Sequence, residues 1–311
     1  MSFFLFAVLN TIFVLLISPL FISLIKIVKA FMQRRRGPPL LQTYYSLSKL
    51  LRKENIYSTN TSVIMRVTPY VNIVYILTAS LFVPFVFIPP ALVGIGNIIV
   101  FLYLLVCAKF FMALGGLDAG STFGGMGSSR EMNFSAIVEP VVISTLAALA
   151  LVMKSSNFHE MFATALKSTV FVNPATLLIA PSLFIILIVE TSRVPVDNPE
   201  THLELTMIHE TMLLEYSGPN LALMETSHAV KQTLLMGILI NTLIPWGLTT
   251  APSLTSIPFA IGMFILKGAV LAVIVGVAES MVAKARLFRL PSLFMLAFFF
   301  SFSTILFELL S

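Results

Sequence analysis

The chain has 311 residues, of which 58% are hydrophobic and only 11% are charged, and its mean hydropathy is +0.97. Soluble domains usually carry charge on about a quarter of their residues, so this composition excludes an ordinary water-soluble protein. The net charge of +5 comes from 19 Lys and Arg against 14 Asp and Glu. We therefore expect a chain whose surroundings are the lipid bilayer, with no nucleic-acid partner.

Eight apolar segments are long enough, or nearly so, to span the hydrocarbon core, which takes about 20 residues. They are 3–25, 68–88, 96–114, 134–153, 175–190, 226–248, 258–281 and 290–309. The first has no basic residue before it, unlike a secretory signal peptide, and we expect it to be retained. The pattern predicts an all-α integral membrane protein with about eight transmembrane helices, forming a single transmembrane domain over 1–311.

The distribution of positive charge predicts the orientation of these spans. With the N-terminus outside, 14 of the 19 Lys and Arg fall in inner loops, and only Lys154 and Lys167 fall in outer loops. Adding or removing one helix would distribute the Lys and Arg residues over both sides of the membrane. We expect a multi-pass protein of the cell membrane with both termini outside and the long loops 26–66, 115–133 and 191–225 in the cytoplasm.

The first long inner loop opens with a basic cluster, in which Gly37 and Pro38 end any helix. From about 42 to 53 the pattern becomes amphipathic, which indicates a helix lying at the inner membrane surface. This stretch binds anionic lipid head groups, docks a peripheral partner, or does both.

The second long inner loop, 115–133, is rich in glycine, which permits tight backbone packing. It has neither the P-loop spacing nor the dinucleotide-binding spacing. A loop packed against a partner protein is the favoured interpretation.

The third long inner loop is the most polar part of the chain. An Asn-Pro pair at 198–199 predicts a helix start. Glu200 and Glu204 lie four residues apart on one face and repel each other, so they face water or are partly protonated. His202 and His209 also share a face, but the HExxH pattern of a zinc site is absent, and ordinary polar packing is favoured over a metal site.

Several ionisable residues fall inside or at the ends of the predicted spans, where they are costly and usually mark a functional path. They are Glu139, Glu190, Glu225, Lys231, Lys267 and Glu279. The predicted topology places all these acids in the inner half and Lys267 deeper. Neighbouring buried carboxyl groups can take up and release protons near neutral pH, so the row suits a proton relay. The alternative is a set of buried ion pairs, such as Glu225 with Lys231, that hold helices together.

Cys107 is the only cysteine. A lone thiolate cannot hold an iron–sulfur cluster or a nickel site, which need several. We therefore expect no metal and no cofactor bound by this chain, and any redox chemistry to take place on another subunit.

Linked motifs over nearly the whole chain resemble a known family. The segments 36–38, 49–54, 190–197 and 215–216 look like the quinone-proximal membrane subunit of respiratory complex I. The segments 116–121, 129–131 and 139–140 are similar to the version in membrane-bound nickel–iron hydrogenases. The run 197–210 resembles the archaeal-type members of that branch, including the sulfane-reductase complexes.

The resemblance implies a non-catalytic subunit of a ferredoxin-linked, ion-translocating respiratory complex. It would anchor a peripheral redox arm and couple electron transfer to proton or sodium movement. The implied partners are hydrogenase-like large and small subunits, which would carry iron–sulfur clusters and, in hydrogenases, the nickel–iron site, together with antiporter-like membrane subunits. The chain is a few residues longer than complex I between Asp197 and Glu215, which puts a quinone chamber in doubt. The alternatives are a quinone-site subunit of complex I and a stand-alone secondary ion transporter.

Two sets of candidate residues follow. The proton relay and coupling set, part of which is implied by the resemblance, comprises Glu139, Glu190, Asp197, Glu200, Glu204, Glu210, Glu215, Glu225, Lys231, Lys267 and Glu279. The partner-docking set comprises Arg34, Arg35, Arg36, Gly37, Pro38, Asp118, Arg130, Glu131 and Arg193.

Overall fold

The computed structural model describes residues 2–88, 96–167, 173–197, 207–249, 256–285 and 289–310, and these residues form eleven helices. The helices are α1 Ser2–Met32, α2 Gln42–Leu51, α3 Val63–Phe82, α4 Ile98–Asp118, α5 Thr122–Met153, α6 Phe158–Lys167, α7 Pro174–Glu190, α8 His209–Leu213, α9 Gly218–Leu243, α10 Ser256–Met281 and α11 Leu290–Leu310. The predicted all-α membrane fold is confirmed.

Eight of these helices overlap the eight predicted spans, in the same order. Six of them, α1, α3, α4, α5, α10 and α11, are long and apolar enough to cross a membrane. The helix α7 is apolar but only 17 residues long, and α9 carries buried polar side chains along its 26 residues. Because most of α9 is enclosed by other helices, it packs against protein instead of lipid and tolerates these groups.

We call the end of the bundle that holds 33–62, 119–121, 191–197 and 207–217 the inner end, after the predicted topology, and the opposite end the outer end. At the inner end, α2 lies where the amphipathic pattern predicts a helix, and it has no buried residue. Thr43 joins it to α1 through a hydroxyl contact of 2.7 Å with Ser23. The short amphipathic helix α6, at the outer end, was not predicted, and Phe158 and Phe162 bury its apolar face.

Most of the glycine-rich segment 115–133 is helical, and its prediction as a long loop was wrong. The helix α4 continues to Asp118, and α5 begins at Thr122 with the Ser121 side chain accepting a hydrogen bond from the amide of Gly124. Glycine lets the two helices approach closely, since a Cβ atom on Gly116 would lie 2.5 Å from Ser128 Oγ. Close packing thus offsets the roughly 1 kcal/mol that a glycine costs inside a helix.

Asp118, assigned to partner docking from the sequence, has an internal role in the structure. One carboxylate oxygen accepts hydrogen bonds from the amides of Ser62, at 3.0 Å, and Met65, at 2.9 Å. These amides belong to the first turn of α3, where helix N–H groups have no partner within the helix and favour a negative charge. Asp118 therefore fastens the inner end of α4 to the start of α3.

The outer end is closed by amide side chains that bind the backbone of the segment after α3. Asn10 donates to the carbonyl of Phe87 at 2.9 Å and accepts from the amides of Val86 and Phe87. Asn241 donates to the carbonyl of Pro84 at 2.8 Å. Val86 is buried beside them, so this segment plugs the outer end of the bundle.

Candidate functional site

A carboxylate at the inner end of α7 is held between two ammonium groups from the middle of α4 and α9. Glu190, the last residue of α7, contacts Lys109 Nζ of α4 at 2.9 Å through Oε1 and Lys231 Nζ of α9 at 2.7 Å through Oε2. All three side chains are at least 87% buried. We call Lys109, Glu190 and Lys231 the Glu190 triad. Burying charged side chains is costly unless they are paired. The ion pairs of the triad therefore hold the three helices together.

A second buried cluster links four parts of the chain. Arg193 Nη1 contacts Glu279 Oε1 of α10 at 2.8 Å, and Lys29 Nζ of α1 lies 3.5 Å from Glu279 Oε2. The Arg193 guanidinium also donates to Gln232 Oε1 of α9 from Nε and Nη2, at 3.2 and 2.6 Å. We call these four residues the Arg193 cluster. Arg193, predicted to dock a partner, instead directs its donors into the bundle.

Asp197 organises the chain on both sides of the undescribed residues 198–206. Its Oδ1 contacts Lys284 Nζ at 2.7 Å, and its Oδ2 accepts hydrogen bonds from the amides of Ile208, at 2.8 Å, and His209, at 3.3 Å. A carboxylate at the start of α8 satisfies amides that the short helix leaves free. Asp197 thus fixes the position of α8 against the inner end of α10.

Two larger cavities lie on either side of the charge clusters. The inner chamber, of about 280 Å³, opens among α1, α8 and α9, and its walls include Lys26, Glu210 and Glu225. The lateral cleft, of about 300 Å³, lies between α4 and α5, is mostly apolar, and has Lys109, Glu139 and Glu190 at its polar end. The Glu190 triad therefore stands between a charged chamber and a cleft in the side of the bundle.

The structure brings most of the predicted relay residues into this region. Glu139, Glu190, Asp197, Glu210, Glu225, Lys231 and Glu279 line the cavities or belong to the clusters described above. Glu215 lies in the turn after α8 and is half-buried. Glu200 and Glu204 lie outside the described residues.

Two contacts differ from the pairing considered from sequence. Lys231 pairs with Glu190, and not with Glu225. Lys267 lies apart from the acids, near the outer end, where its ammonium donates to the carbonyls of Ile244, at 2.8 Å, and Trp246. A cation on carbonyls that follow a helix end is a stabilising arrangement, so Lys267 caps the end of α9.

The docking set divides into exposed and internal residues. The 34–37 stretch is exposed at the inner end, and Pro38 is half-buried. Arg130 donates to the carbonyl of Met207 at 2.9 Å, so it holds the start of the α8 segment. Glu131 faces the interior between α4, α7 and α9 and lines two small cavities beside the Glu190 triad.

Sequence reasoning missed Lys109 as a member of the site. The available signal was a lysine in the middle of an otherwise apolar helix, a placement that is costly without a partner. Its partner Glu190 lies 81 residues away in the sequence, so the pairing could not be read from local spacing.

Two titratable side chains on α8, His209 and Glu210, have shifted pKa values. Burial lowers the pKa of His209 to about 4, and Lys231 lowers it further. Its ring lies 4.9 Å from that of His228, between ring centroids. Burial raises the pKa of Glu210 to about 7, and the neighbouring carboxylates of Glu225 and Asp197 also raise it. Near neutral pH, His209 is therefore neutral and Glu210 is partly protonated.

We expect Glu210→Gln to stabilise the fold more near pH 8 than near pH 5. The folded chain keeps the Glu210 proton between pH 4.5 and about 7, whereas the unfolded chain loses it, so this group's contribution to stability falls as pH rises through that window. The stabilising effect of Glu210→Gln should be larger at pH 8 than at pH 5 by at most about 3 kcal/mol. Thermal unfolding of both chains in detergent at the two pH values measures it.

Glu160→Gln is the matched control, since Glu160 lies on α6 and accepts a hydrogen bond from Ser155 at 2.8 Å. Its effect on the unfolding midpoint should not grow with pH in this way. An equal effect of Glu210→Gln at both pH values would contradict the raised pKa.

Comparison with known proteins agrees with the motifs noted in the sequence. Residues 5–309 match the family model described as NADH dehydrogenase. The chain is 31% identical over 281 residues to hydrogenase-4 component C of Escherichia coli (strain K12), covering 90% of this chain and 88% of that protein. It is 29% identical over 286 residues to formate hydrogenlyase subunit 4 of the same organism, covering 92% of each.

A solved structure has the same fold. The structure of the membrane-bound sulfane sulfur reductase, an archaeal respiratory membrane complex, matches with a TM-score of 0.81 at 17% identity, over 98% of this chain and 100% of that one. At 17% identity the structural similarity establishes the fold alone. Family membership follows from the family model, which matches residues 5–309. The chain therefore belongs to the NADH dehydrogenase family, as the linked motifs predicted.

Proposed function

We propose that this chain is the membrane subunit through which a respiratory complex couples electron transfer to ion translocation. The family match supports this, as do the two relatives, which by name are a component of hydrogenase-4 and a subunit of formate hydrogenlyase. A subunit of a larger assembly is favoured over a stand-alone secondary transporter, which commonly shows internal repeats.

The observation that carries the proposal is the Glu190 triad between the inner chamber and the lateral cleft. Its three buried charges sit where two helices that face protein, α7 and α9, meet α4. A charge that moves at the inner end changes the electrostatic energy of such a cluster strongly, because little water screens it. Electron transfer in a docked arm could in this way drive protonation changes along the acids.

The peripheral arm would dock at the inner end. The exposed basic stretch 34–36 and the amphipathic helix α2 present positive charge there. In this proposal, hydrogenase-like large and small subunits bind this surface and carry the iron–sulfur clusters, with a nickel–iron site if the complex is a hydrogenase. Antiporter-like membrane subunits continue the ion path, and the inner end faces the cytoplasm with both termini outside.

Glu139→Gln tests the coupling role. Glu139 lines the lateral cleft beside Lys109 and Glu190, and an amide keeps its shape but cannot carry a proton. In proteoliposomes supplied with reduced ferredoxin, we expect the ions moved per electron to fall about tenfold or more, with electron transfer continuing. Proton and sodium uptake are followed together with product formation.

The remote acid substitution Glu160→Gln should leave this ratio unchanged. Equal ratios in the wild type and the Glu139→Gln variant would count heavily against the relay.

Purification in mild detergent from native membranes tests the assembly itself. Iron and several stoichiometric subunits should accompany the chain, and nickel would identify a hydrogenase. A metal-free single chain from gently handled membranes would contradict the proposed complex.

A further inference from the structure

Glu131, on the first turns of α5, lines two small internal cavities. One, of about 30 Å³, also touches His228 and Lys231. The other, of about 20 Å³, also touches Ser135 and Glu190. A cavity needs roughly 10–15 Å³ and at least two polar neighbours to hold a water molecule. Both cavities satisfy these conditions.

Each small cavity also contains a buried polar atom that needs a partner. His228 Nδ1 in the first and Ser135 Oγ in the second have no hydrogen-bond partner within the described ranges. Buried polar atoms in folded proteins are nearly always paired, with protein or with ordered water. A single water in each cavity would supply the missing hydrogen bond there and would lie next to Glu131.

The small cavities share lining residues with the two large ones. The first shares His209 and His228 with the inner chamber. The second shares Lys109 and Glu190 with the lateral cleft. Glu131 and Lys109 line both small cavities, but the Lys109 ammonium is already bound to Glu190 at 2.9 Å.

Glu131 differs from the other charged groups around it in having a free side chain. It makes no hydrogen bond or ion pair with any residue that the structure describes, while Lys109, Lys231, Glu190 and Asp197 act on it electrostatically. A carboxyl group can both accept and release a proton, whereas a paired ammonium can only lose one. Glu131 is therefore the group placed to pass protons between the two waters.

We propose that Glu131 is the proton carrier between the inner chamber and the Glu190 triad, with one water on each side of it. The carboxylate takes a proton from the water on the chamber side as that water receives one from the inner chamber. It later gives the proton to the water on the Glu190 side, which passes one on toward the Glu190 triad, so Glu131 and both waters return to their starting states. This proposal rests on the proposed coupling function and adds to it a residue that the sequence assigned to docking.

Glu131→Gln removes the proton-carrying group and keeps its size. In the whole complex in proteoliposomes with reduced ferredoxin, we expect the ions moved per electron to fall about tenfold or more. Glu131→Asp should recover part of the ratio. An infrared carboxyl band that responds to turnover in the wild type should be missing in Glu131→Gln, which a purely structural residue would not explain.

A second pair of variants tests the water path without changing charge. Ser135→Val fills the 20 Å³ cavity, and it should lower the ratio about as much as Glu131→Gln. Ser135→Ala leaves room for the water and should stay within about twofold of the wild type. This pair decides the matter if Glu131→Gln does not assemble.

The controls separate failure of this proposal from failure of the coupling function. If Glu139→Gln lowers the ratio but Glu131→Gln and Ser135→Val do not, the relay bypasses Glu131 and this proposal is overturned. If none of the three variants lowers the ratio, the coupling function is overturned and this proposal with it. Glu160→Gln should match the wild type in every measurement.

Discussion

Replacing Glu190 by Gln should destabilise the chain by about 3–5 kcal/mol, as removal of one partner from a buried ion pair does. The change leaves Lys109 and Lys231, both nearly buried, facing each other without the carboxylate that now binds them at 2.9 and 2.7 Å. Thermal or chemical unfolding of the purified chain in detergent measures the loss. The same variant should abolish most ion translocation.

Removing one of the two ammonium groups should restore part of that stability. The Lys109→Met and Glu190→Gln changes together leave only Lys231 unpaired, so the double variant should be more stable than Glu190→Gln alone. Stability equal to the sum of the two separate losses would show that the side chains do not interact. Glu160→Gln, at the outer end, should change the unfolding free energy by less than about 1 kcal/mol.

Replacing Arg193 should produce the other large effect. Among the described residues, Arg193→Met leaves Glu279 with Lys29, at 3.5 Å, as its one ion-pair partner, and it removes the two Arg193 donors from Gln232 Oε1. We expect a loss of about 3–5 kcal/mol. Arg193→Lys keeps the positive charge, but an ammonium lacks the planar guanidinium that binds Glu279 and Gln232 at the same time. This variant should lose about 1–3 kcal/mol of folding stability.

Arg66→Met is a suitable control for the charge change. Arg66 is exposed and lies 5.0 Å from the centre of the Tyr57 ring, a contact worth about 0.5–1 kcal/mol at an exposed site. Unfolding midpoints in detergent rank the three variants. Equal midpoints for Arg193→Met and Arg66→Met would contradict the buried cluster.

The transmembrane plan could be predicted because the length of an apolar run determines whether a helix can span the bilayer. The prediction failed where side-chain packing, and not hydropathy, determines the structure. The segment 115–133 looks like a loop because glycine is a poor helix former, yet α4 and α5 run through most of it since Gly116 and Gly124 allow close contact. The ten-residue helix α6 was missed because it is too short to span.

The sequence predicts most of the residues that form the candidate site, but not which of them form ion pairs with each other. An acid or a lysine in an apolar run can be recognised from the sequence alone. Glu139, Glu190 and Glu279 were found in this way. Which cation meets which acid depends on the faces that distant helices present to each other. The pairing of Lys109 with Glu190 was therefore not predicted, and Glu131 was assigned to a docking surface although it faces the interior.

The plug that Asn10 and Asn241 make with the backbone of 84–87 has an electrical consequence. In the described part of the chain, the inner chamber and the two small cavities lie on the inner side of the plug, and beside the plug the side chain of Phe85 is buried. Because such packing holds little water, it opposes the movement of charge past the plug. Charge that enters from the inner end would have to leave sideways, so one copy alone in a vesicle would sustain a membrane potential instead of short-circuiting it.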